Sequence, residues 1–123
     1  MTPAEIAYRD ATRAEPSQMA QELQEILGQR PVAFAAGVGS PQAVGRWAAG
    51  KAEPQGEAEP RLRNLYKVVL VLRETESPQT IRAWLQGANP HLAHRAPLEV
   101  LREDDLGADA AAVVDAAVVF ADA

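Results

Sequence analysis

Residues 17–50 read SQMAQELQEILGQRPVAFAAGVGSPQAVGRWAAG, and this stretch decides the fold that we predict. A helix capped by Ser17 and ended by Gly28 carries one apolar face, formed by Met19, Leu23, Ile26 and Leu27. A short helix over 31–36, a glycine turn at 37–39 and a second short helix from Ser40 to about Gly50 follow. This order of elements is typical of a helix-turn-helix.

The second short helix is the candidate DNA-contacting element. Val44 and Trp47 lie three residues apart and are expected to face the core together. In a helix-turn-helix the N-terminal end of this helix enters the major groove, where we expect Gln42 to pair with adenine and Arg46 with guanine or a phosphate. The residues that we expect to contact either bases or phosphates are Ser40, Gln42, Ala43, Arg46 and Lys51.

Two observations oppose DNA binding. Residues 1–60 hold five basic and eight acidic side chains, and Gly45 inside the second short helix costs about 1 kcal/mol relative to alanine. A helix-turn-helix that serves only as a protein-docking scaffold is the alternative.

Helices are also predicted on both sides of this stretch. Thr2-Pro3-Ala4-Glu5 forms a capping box, which predicts either a short helix to about Ala14 or a mobile arm. Residues 50–60 are predicted to form a loop. Residues 61–75 form the most apolar helix, with a stripe made by Leu62, Leu65, Val69 and Leu72. A helix this apolar is either central in the fold or shared with a second subunit.

The C-terminal part is predicted to be helical as well. Ser77 caps a helix in which Ile81, Trp84 and Leu85 share a face. Asn89-Pro90 begins a turn or single-turn helix, and Pro97 begins another helix. The segment 108–120 contains adjacent valines that suggest a strand, but its many alanines favour a helix.

Composition agrees with an all-α protein. The chain has 123 residues, enough for one compact domain or two very small ones sharing a core. Alanine occurs 25 times against six aromatic residues, a balance that favours helices. The sequence contains no membrane-length apolar stretch and no signal-peptide pattern, so we expect a cytoplasmic protein.

Charge is unevenly distributed along the chain, whose net charge is −5. Residues 61–102 hold seven basic and three acidic side chains, whereas 103–123 hold six acidic and no basic ones. We therefore expect an anionic partner to meet the middle of the chain.

Catalysis has little support in the sequence. The chain lacks cysteine, its two histidines are His91 and His94, and each of Ser17, Ser40 and Ser77 is explained as a helix cap. Gly37 and Gly39 are not followed by the third glycine that a dinucleotide-binding loop requires. We predict neither an enzyme nor a bound cofactor or metal.

The chain resembles the Xre–MbcA–ParS-type antitoxins over about residues 20–120. The residues that carry the resemblance are Arg46-Trp47, Gly50, Pro54, Trp84-Leu85, Asn89-Pro90, Leu92, Arg95, Pro97-Leu98 and Leu101. The loop at 50–60, the acidic link at 103–109 and the alanine-rich segment after Asp109 depart from the family pattern.

The resemblance implies an N-terminal helix-turn-helix followed by a small helical toxin-binding domain. The expected parts are an arm or short helix (1–16), an Xre-like helix-turn-helix with the central helix (17–75) and a toxin-binding domain with a tail (76–123). The implied partner is a RES-type toxin that consumes NAD⁺, which the antitoxin blocks sterically. The resemblance also implies that the antitoxin is a homodimer and represses its own operon by binding operator DNA.

The resemblance further assigns residues to the toxin-binding region. Those that would build its fold are Trp84, Asn89, Pro90, Arg95 and Pro97, and those of the tail that would approach the toxin pocket are Phe120, Asp122 and Ala123. Phe120 has a second interpretation, simple packing of the last helix. The alternative function is a stand-alone helix-turn-helix transcriptional regulator.

Overall fold

The computed structural model describes residues 1–104 and 107–123, and this part of the chain is helical. The helices are α1 (Pro3–Arg13), α2 (Pro16–Leu27), α3 (Gln29–Ala36), α4 (Pro41–Ala48), α5 (Ala58–Leu72), α6 (Pro78–Gln86), α7 (Pro97–Glu103) and α8 (Ala108–Ala121), with a single 3-10 turn at Pro90–Leu92. Within the described ranges the only β pairing is an isolated bridge between Asn89 and Arg95. The all-α prediction is confirmed.

Helix α5 is the centre of the fold. It packs against α1, α2, α3, α7 and α8, and the predicted stripe of Leu62, Leu65, Val69 and Leu72 is fully buried. Of the two interpretations of this apolar helix, the central one is confirmed. Because the chain itself covers the stripe, this face gives no argument for a second subunit.

The N-terminal segment forms a helix that packs on α5 and α8, so the helical alternative is confirmed. Its capping box is present: Thr2 Oγ1 accepts from the main-chain nitrogen of Glu5, and the Glu5 carboxylate accepts from that of Thr2. One continuous apolar core extends from α1 to α8 and includes both predicted regions.

Of the predicted serine caps, Ser17 is wrong and Ser40 is correct in position only. Helix α2 begins at Pro16, so Glu15 is the N-cap and Ser17 lies inside the first turn. Ser40 does hold the N-cap position of α4, but its Oγ lies 2.9 Å from Gln42 Oε1 and makes no capping bond. Ser77 is confirmed as a cap, since its hydroxyl accepts from the main-chain nitrogen of Thr80 at 3.2 Å.

Two helix boundaries also differ from prediction. Helix α5 begins at Ala58, before the predicted start at Arg61, and Pro60 is accommodated in its first turn, where no intrahelical donor is needed. Helix α3 begins at Gln29 instead of Pro31 for the same reason. No helix in the described part of the chain is long and apolar enough to cross a membrane.

Candidate functional site

The exposed face of α4 follows from what the helix buries. Val44 and Trp47 are buried against the core, as predicted. Gln42 and Arg46, four residues apart, are consequently exposed on one face. Ala43 was expected to face outward with them, but it is half-buried and packs against the core. It therefore offers only part of its surface to a ligand.

The glycine inside α4 lies beside the first residue of α3. A Cβ at position 45 would lie 2.7 Å from Gln29 Nε2, the far end of an exposed and flexible side chain. Gln29 in turn donates to Gln24 Oε1 at 3.2 Å. A larger residue at position 45 would therefore require only that the Gln29 side chain move aside.

The basic side chains of the middle segment are mostly used inside the molecule, and several hold the ends of earlier helices. Arg63 donates to the main-chain oxygens of Ala11 and Ala14 at the end of α1. Arg82 donates to Ile26 of α2 at 2.7 Å, and Arg102 donates to Phe34 of α3 at 2.8 Å and lies over its ring. These guanidinium groups supply further donors to carbonyls at the C-terminal ends of helices, where the i to i+4 main-chain bonds are incomplete.

The remaining basic residues of the middle segment are also engaged. Ion pairs join Arg61 to Glu57, Arg73 to Glu22 and Arg95 to Glu103, and Lys67 lies 4.8 Å from the centre of the Tyr8 ring. The expectation that an anionic partner meets this segment stays a prediction; the internal contacts disfavour it, although the side chains of Arg73 and Arg95 remain 37 % and 40 % exposed in their ion pairs.

Of the basic side chains without a partner among the described residues, three lie in the predicted helix-turn-helix and one, Arg13, lies on α1. Arg30, Arg46 and Lys51 are exposed and make no ion pair or side-chain hydrogen bond with the described residues. They belong to α3, α4 and the segment just after α4. This part of the surface thus offers free positive charge despite the acidic composition of residues 1–60.

A second candidate site is a groove between α6, the 3-10 turn and α8, which we call the Trp84 groove. Its volume is about 390 Å³, and the predicted toxin-binding residues that line it are Trp84, Asn89, Pro90, Phe120 and Ala123. The rings of Trp84 and Phe120 are 6.0 Å apart between centroids with their planes at 40°. This arrangement is in the favourable range for an aromatic pair. Both side chains are half-buried, so each combines packing with an accessible edge.

The loop from Asn89 to Arg95 closes one side of the groove. Asn89 is buried; its Oδ1 accepts from the main-chain nitrogen of His91 at 2.9 Å. The Asn89 main chain donates to the oxygen of Arg95 at 3.2 Å and accepts from the nitrogen of His94 at 2.8 Å. Ala93 and His94 take φ values of 55° and 64°, a left-handed conformation that disfavours L-residues. The asparagine therefore maintains a strained loop and presents Pro90 and His91 outward.

Two predicted toxin-binding residues support this region from outside the groove. Arg95 forms an ion pair with Glu103, which ties the loop to the end of α7. Pro97 is buried at the first position of α7, where its fixed φ suits a helix start.

The predicted tail is a folded helix. Helix α8 extends to Ala121 and packs on α5, and Phe120 is held against Trp84. Ala123 lines the Trp84 groove, whereas Asp122 lines a different groove beside α1. The predicted tail residues are therefore divided between two grooves.

Sequence reasoning missed four residues of the Trp84 groove, namely Ala88, His91, Ala116 and Val119. Val119 is 51 % exposed and lines the groove beside Phe120, so it adds accessible apolar surface there. Helical spacing from Phe120 and Ala123 would have found Ala116, since these positions are i, i+4 and i+7.

A hydrogen-bonded charge cluster joins α2 to α5. Glu22 accepts from Tyr66 at 2.8 Å and from Arg73 at 2.7 Å. Burial and the neighbouring carboxylate raise the pKa of Tyr66 to about 12. Burial alone would raise the pKa of Glu22, but these hydrogen bonds outweigh the effect of burial, so the pKa is lowered. The cluster lies away from both candidate sites and links two core helices.

Among the described residues no group of three or more histidines and carboxylates is arranged to hold a metal ion. No family model, curated protein or solved structure matches this chain.

Proposed function

We propose that this protein is an antitoxin that binds a RES-type, NAD⁺-consuming toxin and blocks its active site. The proposal takes the toxin class from the family resemblance. The observation that carries it is that Trp84, Asn89-Pro90 and Phe120, which are separated in sequence, line one groove. The region that the resemblance assigns to toxin binding thus includes a concave surface with apolar and aromatic lining.

The chemistry of this surface suits a protein partner. Aromatic side chains with accessible edges are favoured anchors in interfaces, and the exposed Val119 extends the apolar area beside them. Asp115 is exposed on the same helix, close to Val119. An acidic group here complements a pocket that binds an anionic dinucleotide through basic residues.

The folded state of α8 refines the expected mode of inhibition. Because residues up to Ala121 are helical and Phe120 packs on Trp84, this segment would meet the toxin as a preformed ridge. A preformed ridge avoids the entropy cost of ordering a flexible peptide on binding. Inhibition would therefore be steric, by covering the entrance of the NAD⁺ site.

A single substitution at Val119 tests this proposal. Val119→Lys places a charge on an exposed position and leaves the core intact, so the variant should fold but lose toxin affinity by tenfold or more, on the order of the loss expected for an interface hot spot. Truncation before residue 117 is a poorer test, because Ala117 is fully buried.

The assay is co-purification with the product of the adjacent gene, followed by measurement of NAD⁺ consumption. Ala49→Lys, on the exposed C-cap of α4, is the matched control and should inhibit like the wild type. A stable complex whose released partner consumes NAD⁺, with inhibition lost in Val119→Lys alone, supports the proposal. Full inhibition by Val119→Lys would place toxin binding elsewhere.

DNA binding by α4 is the second candidate function, either as operon repression by the antitoxin or as the activity of a stand-alone regulator. It is favoured by the exposure of Gln42 and Arg46 on one face and by the unpaired cations around them. A homodimer would place two such helices on adjacent half-sites.

Arg46→Ala tests this candidate in a gel-shift titration with the upstream region of the gene. Loss of a bidentate base contact, about 1–3 kcal/mol, should weaken specific binding roughly 5- to 150-fold. Arg13→Ala, a charge-matched exposed change on α1, should leave specific binding within about twofold of wild type. Equal losses in both variants would indicate nonspecific attraction and would contradict base reading by Arg46.

A further inference from the structure

A second groove lies between α1, the C-terminal end of α5 and the end of α8. Its volume is about 350 Å³, enough for on the order of a dozen water molecules. Ile6, Leu70 and Val71 form its apolar floor. Ile6 is 39 % exposed, which leaves an aliphatic side chain accessible in the groove.

The rim of this groove is acidic. Asp10, Glu74 and Asp122 lie along it, and the last two are exposed and form no ion pair with the described residues. Arg73 also lines the groove, where its guanidinium is hydrogen-bonded to Glu22 at 2.7 Å and interacts electrostatically with Glu74. One guanidinium against three carboxylates leaves the rim negatively charged. Asp10 pairs with Arg9 at 3.1 Å in an exposed contact, which contributes little and exchanges readily.

We propose that this groove docks a basic segment of a partner protein, one that inserts one or two apolar side chains flanked by lysine or arginine. The apolar floor supplies contact area, and the acidic rim selects a cationic segment over a neutral or acidic one. The inference is independent of the Trp84 groove, because it rests on different residues and on the sign of the rim charge.

The test uses two capped hexapeptides, one with two central leucines flanked by lysines and one with the same leucines flanked by glutamates. Each is titrated into the uniformly ¹⁵N-labelled full chain at low salt while amide resonances are followed. We expect the lysine peptide alone to shift amides of Ile6, Thr75 and Ala121, with binding that weakens as salt is raised.

Charge reversal at the rim provides the decisive comparison. Glu74→Lys combined with Asp122→Lys should lower affinity for the lysine peptide roughly five- to tenfold, as expected when two exposed attractive contacts become repulsive. Glu25→Lys combined with Glu99→Lys changes net charge equally at exposed positions outside the groove and should leave affinity within twofold. Ile6→Gln should also weaken binding, because it replaces the accessible aliphatic group of the floor.

Three results would overturn the proposal. These are equal binding of the glutamate peptide, equal loss in the two charge-reversed proteins, and an absence of shifts at the groove. Shifts confined to Trp84 and Phe120 would count in the same way, because they would assign the peptide to the other groove.

Discussion

Replacing Arg63 tests how much the contact between α5 and the end of α1 contributes to stability. It lies on α5, and its Nη1 donates to the main-chain oxygens of Ala11 and Ala14, the latter at 2.8 Å. It also pairs with Glu59 one turn earlier on the same helix. Arg63→Met keeps the aliphatic stem against α1 and removes every donor.

The expected loss of stability follows from the exposure of these contacts. The Arg63 side chain is 21 % exposed and that of Glu59 is 35 % exposed, so the ion pair is screened and contributes no more than about 0.5 kcal/mol. The two carbonyls belong to the buried residues Ala11 and Ala14. A hydrogen bond from a charged donor contributes about 1.5–3 kcal/mol to stability, and in the variant water molecules that bind the carbonyls recover part of it. We expect Arg63→Met to lower the free energy of unfolding by about 2–3 kcal/mol, or Tm by roughly 10 °C.

Urea denaturation followed by circular dichroism measures this change, and hydrogen exchange locates it. Amides of α1 should exchange faster in Arg63→Met, because this helix loses its C-terminal donors. Glu59→Gln breaks the ion pair but leaves the carbonyl bonds, and should cost less than about 1 kcal/mol. The reasoning is refuted if Arg63→Met stays within about 0.5 kcal/mol of wild type, a surface-substitution effect, or if Glu59→Gln is equally destabilising.

Three further changes probe the loop, the acid stability and the glycine turn. Ala93→Gly should stabilise the protein by about 1 kcal/mol in urea denaturation, because Ala93 has a φ of 55°; a loss of stability would mean that this conformation is not strained. Burial opposes ionisation of Glu22, but hydrogen bonds, chiefly that from Arg73, lower its pKa below the ordinary value of 4.5. The stability that Glu22 contributes is therefore fully present above pH 4.5 and is lost as the pH falls through the lowered pKa. Glu22→Gln should therefore flatten the dependence of unfolding free energy on pH below 4.5, and an unchanged slope contradicts this. Gly37→Ala should destabilise by about 1–2 kcal/mol, because Gly37 has a φ of 78° and a Cβ there would lie 2.9 Å from an Arg61 nitrogen; a thermal melt unchanged from wild type would count against it.

Local patterns in the sequence were sufficient to predict the helices but not all their first residues. The serine-then-proline signal at Ser77 predicted the cap correctly, because Pro78 takes the first helical position. At residues 16–17 the proline precedes the serine, so Pro16 takes the first helical position and Glu15 is the N-cap. Applied consistently, the proline rule would have given the correct boundary.

The candidate sites were only partly predictable. The inward positions of Val44 and Trp47 follow from helical periodicity, and so does the exposure of Arg46. The contact between Trp84 and Phe120 depends on how α6 and α8 are arranged around the rest of the core, which no local pattern encodes.

The arginines show why charge counted along a sequence can mislead about partners. Arg63, Arg82 and Arg102 donate to carbonyls 49, 56 and 68 residues away, so their use is decided by tertiary packing. Much of the positive charge of the basic middle segment is therefore paired inside the molecule, whereas Arg46, which lies in a region with more acidic than basic residues, has no partner among the described residues. Electrostatic attraction of a partner depends on charges that the fold leaves unpaired at the surface. On this criterion an anionic ligand is expected at the α4 face, and basic partners are expected at the acidic surfaces around α8.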